Sequence, residues 1–211
     1  MGDWLTTPPS KNRELLLNLS GGVDSAFATW RLLDDGYRLL LHHARLVNRE
    51  GRADAEHRAV LEITDWLRDK GLTRFTLVTS GYDQGTLGRM PYDVEVIGFL
   101  TGVIMRDVHR RNIDTVVVTS NRDDVSVTDP DSPRVVRRRK LAHLMAARPL
   151  KWWIAFGHLS KQEMAGQMPS ELIEACWWCR FPRGDGGQVC GRCRPCREMQ
   201  TLRFEPAKES S

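Results

Sequence analysis

Apolar residues recur in two rhythms along this chain. Five short stretches, 15–19, 38–46, 75–79, 115–119 and 152–156, are largely apolar and predict strands buried on both faces. Four longer stretches, 26–34, 53–70, 94–111 and 134–147, predict helices. In the second, Val60, Leu61, Ile63, Thr64 and Leu67 share one face, and Gly71 ends the helix. In the third, Ile97, Leu100, Thr101, Ile104 and Val108 form the buried stripe. Strands and helices alternate strictly. That order predicts an α/β fold: a Rossmann-like, doubly wound, parallel five-stranded sheet with helices on both faces. Ligands of such sheets sit at the carboxyl ends of the strands.

The segments outside this alternation differ in character. Residues 1–12 and 205–211 are polar and aperiodic, and disorder is expected there. Residues 13–168 hold the alternating pattern, and 169–204 hold every cysteine. The 211 residues suffice for one domain with a small appendage. No apolar run approaches the roughly 20 residues a membrane-spanning helix needs, and no secretory leader precedes the first strand. A cytoplasmic location is therefore expected. The net charge of +4 is mild and does not demand a nucleic acid. It is nonetheless uneven, because Arg137, Arg138, Arg139 and Lys140 are consecutive. They read equally as a solvated helix face, a phosphate contact or an RNA surface.

The first strand runs directly into Ser20-Gly21-Gly22-Val23-Asp24-Ser25 and then into a helix. Two glycines let backbone N–H groups converge on an anion, and the helix start adds its uncapped N–H groups and dipole. Ser20 and Ser25 supply hydroxyls, and Asp24 a carboxylate able to help hold a phosphate-bound magnesium ion. No Gly-Lys-Ser/Thr follows, so this is not a Walker loop. SGGVDS resembles the signature of the PP-loop ATP pyrophosphatases, which hold the pyrophosphate of ATP and leave AMP on a substrate oxygen.

All five cysteines, Cys176, Cys179, Cys190, Cys193 and Cys196, fall in one window. CxxC turns place two thiolates on one ion, and two such turns complete a tetrahedron. Zinc and an iron–sulfur cluster both suit this pattern.

Together the two motifs resemble the 7-cyano-7-deazaguanine synthases, zinc-containing PP-loop enzymes with an adenine nucleotide alpha hydrolase-like fold. In that family one cysteine leads a CGxCxxC triplet. Trp178-Cys179-Arg180 stands in its place before Cys190-Gly-Arg-Cys193-Arg-Pro-Cys196, which implies zinc on Cys179, Cys190, Cys193 and Cys196. Leu159-Ser160-Lys161-Gln162-Glu163 resembles the family's Leu-Thr-Lys-x-Glu, and Asn121-Arg122-Asp123-Asp124 its Asn-x-x-Asp. Asp129-Pro130-Asp131 with Arg134 resembles its Tyr-Pro-Asp-Cys-Arg. Two segments depart from the pattern. Met90-Pro91 is followed by Tyr92-Asp93 where the family has Arg-Asn, and residues 47–52 replace its Tyr-Gly-Gln-Arg-His.

The resemblance implies that 7-carboxy-7-deazaguanine and ammonia become 7-cyano-7-deazaguanine, with ATP, Mg2+ and Zn2+ as cofactors and a homodimeric assembly. Ser20, Gly21, Gly22, Val23, Asp24 and Ser25 would hold ATP. Asp24, Ser25 and Lys161 are the candidate catalytic residues, and Asp124 and Asp131 the candidate substrate contacts. The rival expectations are a PP-loop tRNA sulfur-transfer enzyme, a related enzyme adenylating another substrate, and a non-catalytic nucleotide-binding zinc module.

Overall fold

The computed structural model describes residues 4–85, 93–107, 113–124, 129–184 and 187–202. Five parallel strands, β1 (Glu14–Asn18), β2 (Arg38–Val47), β3 (Phe75–Asp83), β4 (Thr115–Val118) and β5 (Lys151–Ile154), form one sheet in the order β3-β2-β1-β4-β5. Parallel neighbours need crossovers. These run through α1 (Val23–Asp34), α2 (Ala53–Asp69), α3 (Asp93–Asp107) and α4 (Pro133–Ala146). Three shorter helices follow: α5 (Lys161–Gln167), α6 (Ser170–Glu174) and α7 (Arg194–Leu202). The direction of winding reverses between β1 and β4, which places the topological switch point at the carboxyl end of β1.

The apolar strands fill two cores by alternation. Leu15, Leu17, Leu39 and Leu41 face α1 and α2, meeting Phe27, Leu32, Val60, Ile63 and Leu67. Leu16, Leu40, Val116 and Val118 face α3 and α4, meeting Ile104, Met105, Ala142 and Ala146. Each fully buried leucine contributes about 1.5–3 kcal/mol. One polar lock crosses the sheet. The His42 ring nitrogens lie 2.7 Å from Asn18 Oδ1 and 2.7 Å from Ser80 Oγ, and Asn18 Nδ2 donates to Thr101 Oγ1 at 3.2 Å. Burial pushes the His42 imidazole down to about 4, so it is neutral in the fold.

Three details depart from the expected pattern. Strand β3 runs on to Asp83, because β2 continues to Val47 and offers backbone partners along the whole length. Polar Ser80 to Asp83 carry no periodicity that would announce this edge. In α3, Leu100, Thr101 and Ile104 are buried as expected and Ile97 is half-buried, whereas Val108 lies outside the described residues. The buried stripe is completed by Gly98 and Gly102. A methyl at these positions would stand 2.7 Å from the Arg138 carbonyl and 2.5 Å from the Ala142 carbonyl, so α3 and α4 touch backbone to backbone there.

The third departure is at the amino end. Residues 4–12, expected to be disordered, are tied to the fold. Trp4 forms a parallel bridge to Trp152, Leu5 N–H donates to the Trp152 carbonyl at 2.8 Å, and Tyr37 Oη donates to the Pro9 carbonyl at 3.2 Å. Two apolar side chains in a polar stretch are enough to cover the open edge of β5. Residues 205–211 lie outside the described residues.

Candidate functional site

The loop 20–25 sits at the switch point and is shaped by its own side chains. Gly21 has φ +82°, and a Cβ there would stand 2.9 Å from the Glu56 carbonyl, so only glycine fits between β1 and α2. Gly22 is the N-cap of α1 and offers no side-chain cap. The first-turn N–H groups of Val23, Asp24 and Ser25 therefore have no acceptor within the helix, which is the geometry of an anion site. The Ser25 hydroxyl accepts from Ser20 N–H at 3.2 Å and donates to the Gly22 carbonyl at 3.0 Å, so it holds the loop closed. Ser20 Oγ accepts from Gly22 N–H at 3.3 Å.

Asp24 opens onto a cleft of about 880 Å³ between the strand ends and the cysteine segment. Asn121, at the end of β4, donates to one Asp24 oxygen at 3.0 Å, and the other oxygen is buried with no partner among the described residues. Burial raises the Asp24 carboxyl above its ordinary range, while nearby Lys161 and the Asn121 hydrogen bond pull it down. Asn121 is itself fixed, since its Oδ1 accepts from Asp123 N–H at 2.9 Å. Sequence reasoning placed Asn121 in a motif without giving it a role.

Lys161 opens α5 behind a capping box made by Ser160 and Glu163. Its N–H donates to Asp123 Oδ2 at 3.0 Å, and its ammonium lies 3.4 Å from Glu198. Lys161 and Asp124 both line the cleft beside Asp24. Asp131 does not line it. It lies exposed in the turn before α4, its N–H bonded to Asp129 Oδ1 at 2.9 Å.

The cysteine segment folds into a compact knuckle. The sulfurs of Cys179, Cys190, Cys193 and Cys196 lie within 4.8 Å of one another. Cys190 and Cys196 are 3.9 Å apart, close to the roughly 3.8 Å edge of a tetrahedron with 2.3 Å metal–sulfur bonds. These four residues could hold one metal ion. The N–H groups of Arg192 and Cys193 draw the Cys190 thiol down, whereas burial pushes Cys179 and Cys196 up. A central cation would supply the charge that lets all four ionise. Cys176 stands apart. It is buried in the main core with its Sγ donating to the Leu172 carbonyl at 3.2 Å, and burial pushes it up to about 12.

Knuckle and loop are joined directly. Trp177 N–H donates to the Gly21 carbonyl at 2.8 Å, and Trp177 Nε1 donates to the Cys179 carbonyl at 2.8 Å. A second part of the cleft, about 320 Å³, lies between the loop and both tryptophans, Trp177 and Trp178. Its wall is an ionic network that sequence reasoning did not foresee. Arg52, only 13% exposed, meets Glu50 at 2.8 Å, Glu56 at 3.0 Å and Asp93. Arg180 of the knuckle reaches Glu50 and Asp93, each at 3.5 Å. Burial pushes the Glu56 carboxyl up to about 7 against the pull of Arg52. The network draws on both segments, 47–52 and Asp93, that depart from the family pattern.

The arginine run on α4 is spent on packing. Arg138 stacks on Trp152 and Arg139 on Trp4, with 5.5 and 5.2 Å to the ring centroids, and Arg137 pairs with Glu95 at 2.6 Å. None of the three lines the cleft.

No family model and no curated protein matches the chain. Solved structures do. A 4-thiouridine synthetase in an RNA complex with bound ATP is similar at 15% identity and TM-score 0.48, over 92% of this chain and 50% of that one. This chain thus spans about half its length. The U34-tRNA thiolase NcsA from Methanococcus maripaludis, with its 4Fe-4S cluster, is similar at 14% identity and TM-score 0.39, over 95% of this chain and 85% of its own. NMN synthetase from Francisella tularensis follows at 14% identity and TM-score 0.36, over 76% and 81%. Among the described residues, no helix is long and apolar enough to cross a membrane.

Proposed function

We propose that the chain cleaves ATP at its α-phosphate to activate an oxygen of a 7-deazaguanine carboxylate, and so makes the corresponding nitrile. The observation that carries this reading is the joining of two sequence-distant motifs at one cleft. Asp24 of the phosphate loop forms its floor, and the four-cysteine knuckle hydrogen-bonded to Gly21 forms its wall.

A carboxylate oxygen is a poor leaving group. Its attack on the α-phosphorus makes an acyl adenylate and expels pyrophosphate toward the uncapped N–H groups of the loop. Ammonia then displaces AMP and loses a proton, giving the amide. The amide oxygen is adenylated in turn by a second ATP, with release of pyrophosphate and one amide proton, and loss of AMP with the remaining proton leaves the nitrile. The protein's part is positioning and charge neutralisation. Asp24 would hold Mg2+, which neutralises charge on the phosphates when bound. Lys161 would offset charge developing at the reacting phosphate, and Asp124 would contact the substrate.

Zinc on Cys179, Cys190, Cys193 and Cys196 would be structural, because four thiolates leave no open coordination position. The close spacing of the sulfurs supports a single ion. The burial of Cys176 against Leu172 gives no support to a sulfur-carrying role for it, which weighs against sulfur transfer.

The decisive experiment measures pyrophosphate release with 7-carboxy-7-deazaguanine, ammonia and ATP. Substrate-dependent release, with nitrile found by mass spectrometry, supports the reading. Release of no pyrophosphate above a no-substrate control removes it.

A further inference from the structure

The cleft has more positive charge at its rim than a free deazapurine requires. Within residues 177–202 the chain carries five arginines against two acids, a surplus of three in a protein whose net charge is +4. Four of these arginines, Arg180, Arg192, Arg194 and Arg197, line the cleft, Arg180 being shared with Glu50 and Asp93. Arg192 and Arg197 make no ion pair among the described residues. Arg194 is 79% exposed and engages Glu198 through Nε. Four acids line the same cleft: Asp24, Asp123 and Asp124 next to Asn121 and Lys161 at the strand ends, and Glu198 between Lys161 and Arg194. The positive charge of Arg192 and Arg197, unpaired among the described residues, thus lies at the rim, where it is open to an anionic chain. Phe181, adjacent to Arg180, lines the cleft and is 53% exposed. Arg138 and Arg139 of α4 are packed on Trp152 and Trp4, and Arg137 is paired with Glu95, away from the cleft.

We propose that the outer face of the knuckle binds a single-stranded polynucleotide, and that the base to be activated enters the cleft while still attached to it. The second half rests on the adenylation reading; the first does not. Arginine forks on a rim suit successive phosphates, and an exposed aromatic ring beside them suits an unstacked base. A free base carboxylate bears a single negative charge, and the phosphates of ATP have their own cradle in the loop. The substrate class that uses the remaining charge is a phosphodiester chain.

The test uses the full, metal-loaded chain and fluorescein-labelled 20-nucleotide single strands, one DNA and one RNA, followed by anisotropy across a salt series. Binding is expected, with log affinity falling against log salt at a slope of about −2 to −3, as three to four phosphate contacts on a single strand give. Arg192→Ala with Arg197→Ala is expected to flatten that slope by about 1.4. Phe181→Ala is expected to weaken binding about tenfold while keeping the slope, because stacking releases no counterions. The DNA and RNA arms identify the sugar that is preferred. Unchanged metal content and circular dichroism show that each variant has folded.

Absence of binding at low salt overturns the proposal, as does equal binding of a poly-glutamate peptide, or slopes that do not respond to the arginines. Pyrophosphate release is measured in parallel with the free deazapurine and with a single strand that carries the deazaguanine carboxylate as one of its bases; release from the strand is expected, and release from the free base alone overturns the second half. Release without oligonucleotide binding removes the surface and leaves the function. Binding without any release removes the function and leaves the surface.

Discussion

Trp177 donates its backbone N–H to the Gly21 carbonyl at 2.8 Å, a hydrogen bond linking the cysteine knuckle to the loop 20–25 across 156 residues of sequence. Gly21 has no slack to absorb its loss, being held at φ +82° against Glu56 and Ala59. The bond offers a direct route by which folding of the knuckle can act on the loop. Removing the metal with a chelator is expected to weaken ATP binding about tenfold or more, and re-adding zinc to restore it. Isothermal titration of ATP before and after chelation checks this. Full affinity in a metal-free protein would show that the bond does not couple the two.

The ligand set makes a sharp distinction between neighbouring cysteines. Cys176→Ala is expected to keep one metal ion per chain, because its sulfur faces Leu172 in the core. Cys179→Ala is expected to lose stoichiometric metal. Elemental analysis of the purified variants decides it, and metal loss from the Cys176 variant would contradict the four-sulfur site.

Asn121 adds to Lys161 in favouring the ionised form of Asp24 against the effect of burial. Its amide favours the Asp24 carboxylate, whose pKa burial raises and this hydrogen bond lowers. In Asn121→Leu the carboxyl is expected to titrate at higher pH, moving the acidic limb of kcat/KM for pyrophosphate release upward. A limb that stays in place while the rate falls would mean that Asn121 acts only through packing.

The buried histidines make stability fall in mild acid. His42 and His43 are both lowered to about 4, against an ordinary value near 6.5 in the unfolded chain. Below 6.5 the unfolded state binds the extra protons, so this contribution is complete above pH 6.5 and is lost as pH falls toward 4. Between pH 7.5 and pH 5 each histidine removes about 2 kcal/mol. Glu56 acts in the opposite direction, since its carboxyl is raised to about 7 and its ionisation costs stability as pH rises. The readout is therefore the difference between the wild type and His42→Gln in urea unfolding at the two pH values. Identical pH dependence in both would remove His42 from the account.

The α3–α4 crossing tolerates no side chain at its centre. A methyl on Gly102 would stand 2.5 Å from the Ala142 carbonyl and 2.6 Å from Met145 Cβ. Gly102→Ala is expected to destabilise by about 1–3 kcal/mol. Gly166→Ala, in α5 with nothing within 4 Å, is expected to stabilise by about 0.5–1 kcal/mol. Urea midpoints compare the two, and equal effects would mean that the helices can separate at little cost.

The alternation of apolar strands and amphipathic helices determined the architecture, because a parallel sheet covered on both faces needs runs such as Leu15-Leu16-Leu17. Gly21 and Gly22 between a strand and a helix, and five cysteines at CxxC spacing, likewise announced a loop shaped for an anion and a sulfur cluster that could hold a metal ion. Both are local chemistries, legible wherever neighbouring residues make the feature. The resemblance already left Cys176 out of the ligand set, and the tertiary structure supplied the physical reason, since Cys176 and Cys179 share a CxxC and differ only in what they face. The fold alone brought Glu50, Arg52 and Glu56 to Asp93 and Arg180, five charges from three separate segments. It also sorted the arginines: on α4, Arg138 and Arg139 lie against Trp152 and Trp4 and Arg137 against Glu95, whereas the scattered ones of the knuckle line the cleft. Charge is written in the sequence, but whether it faces water, a ring or a ligand depends on partners that only the fold brings near.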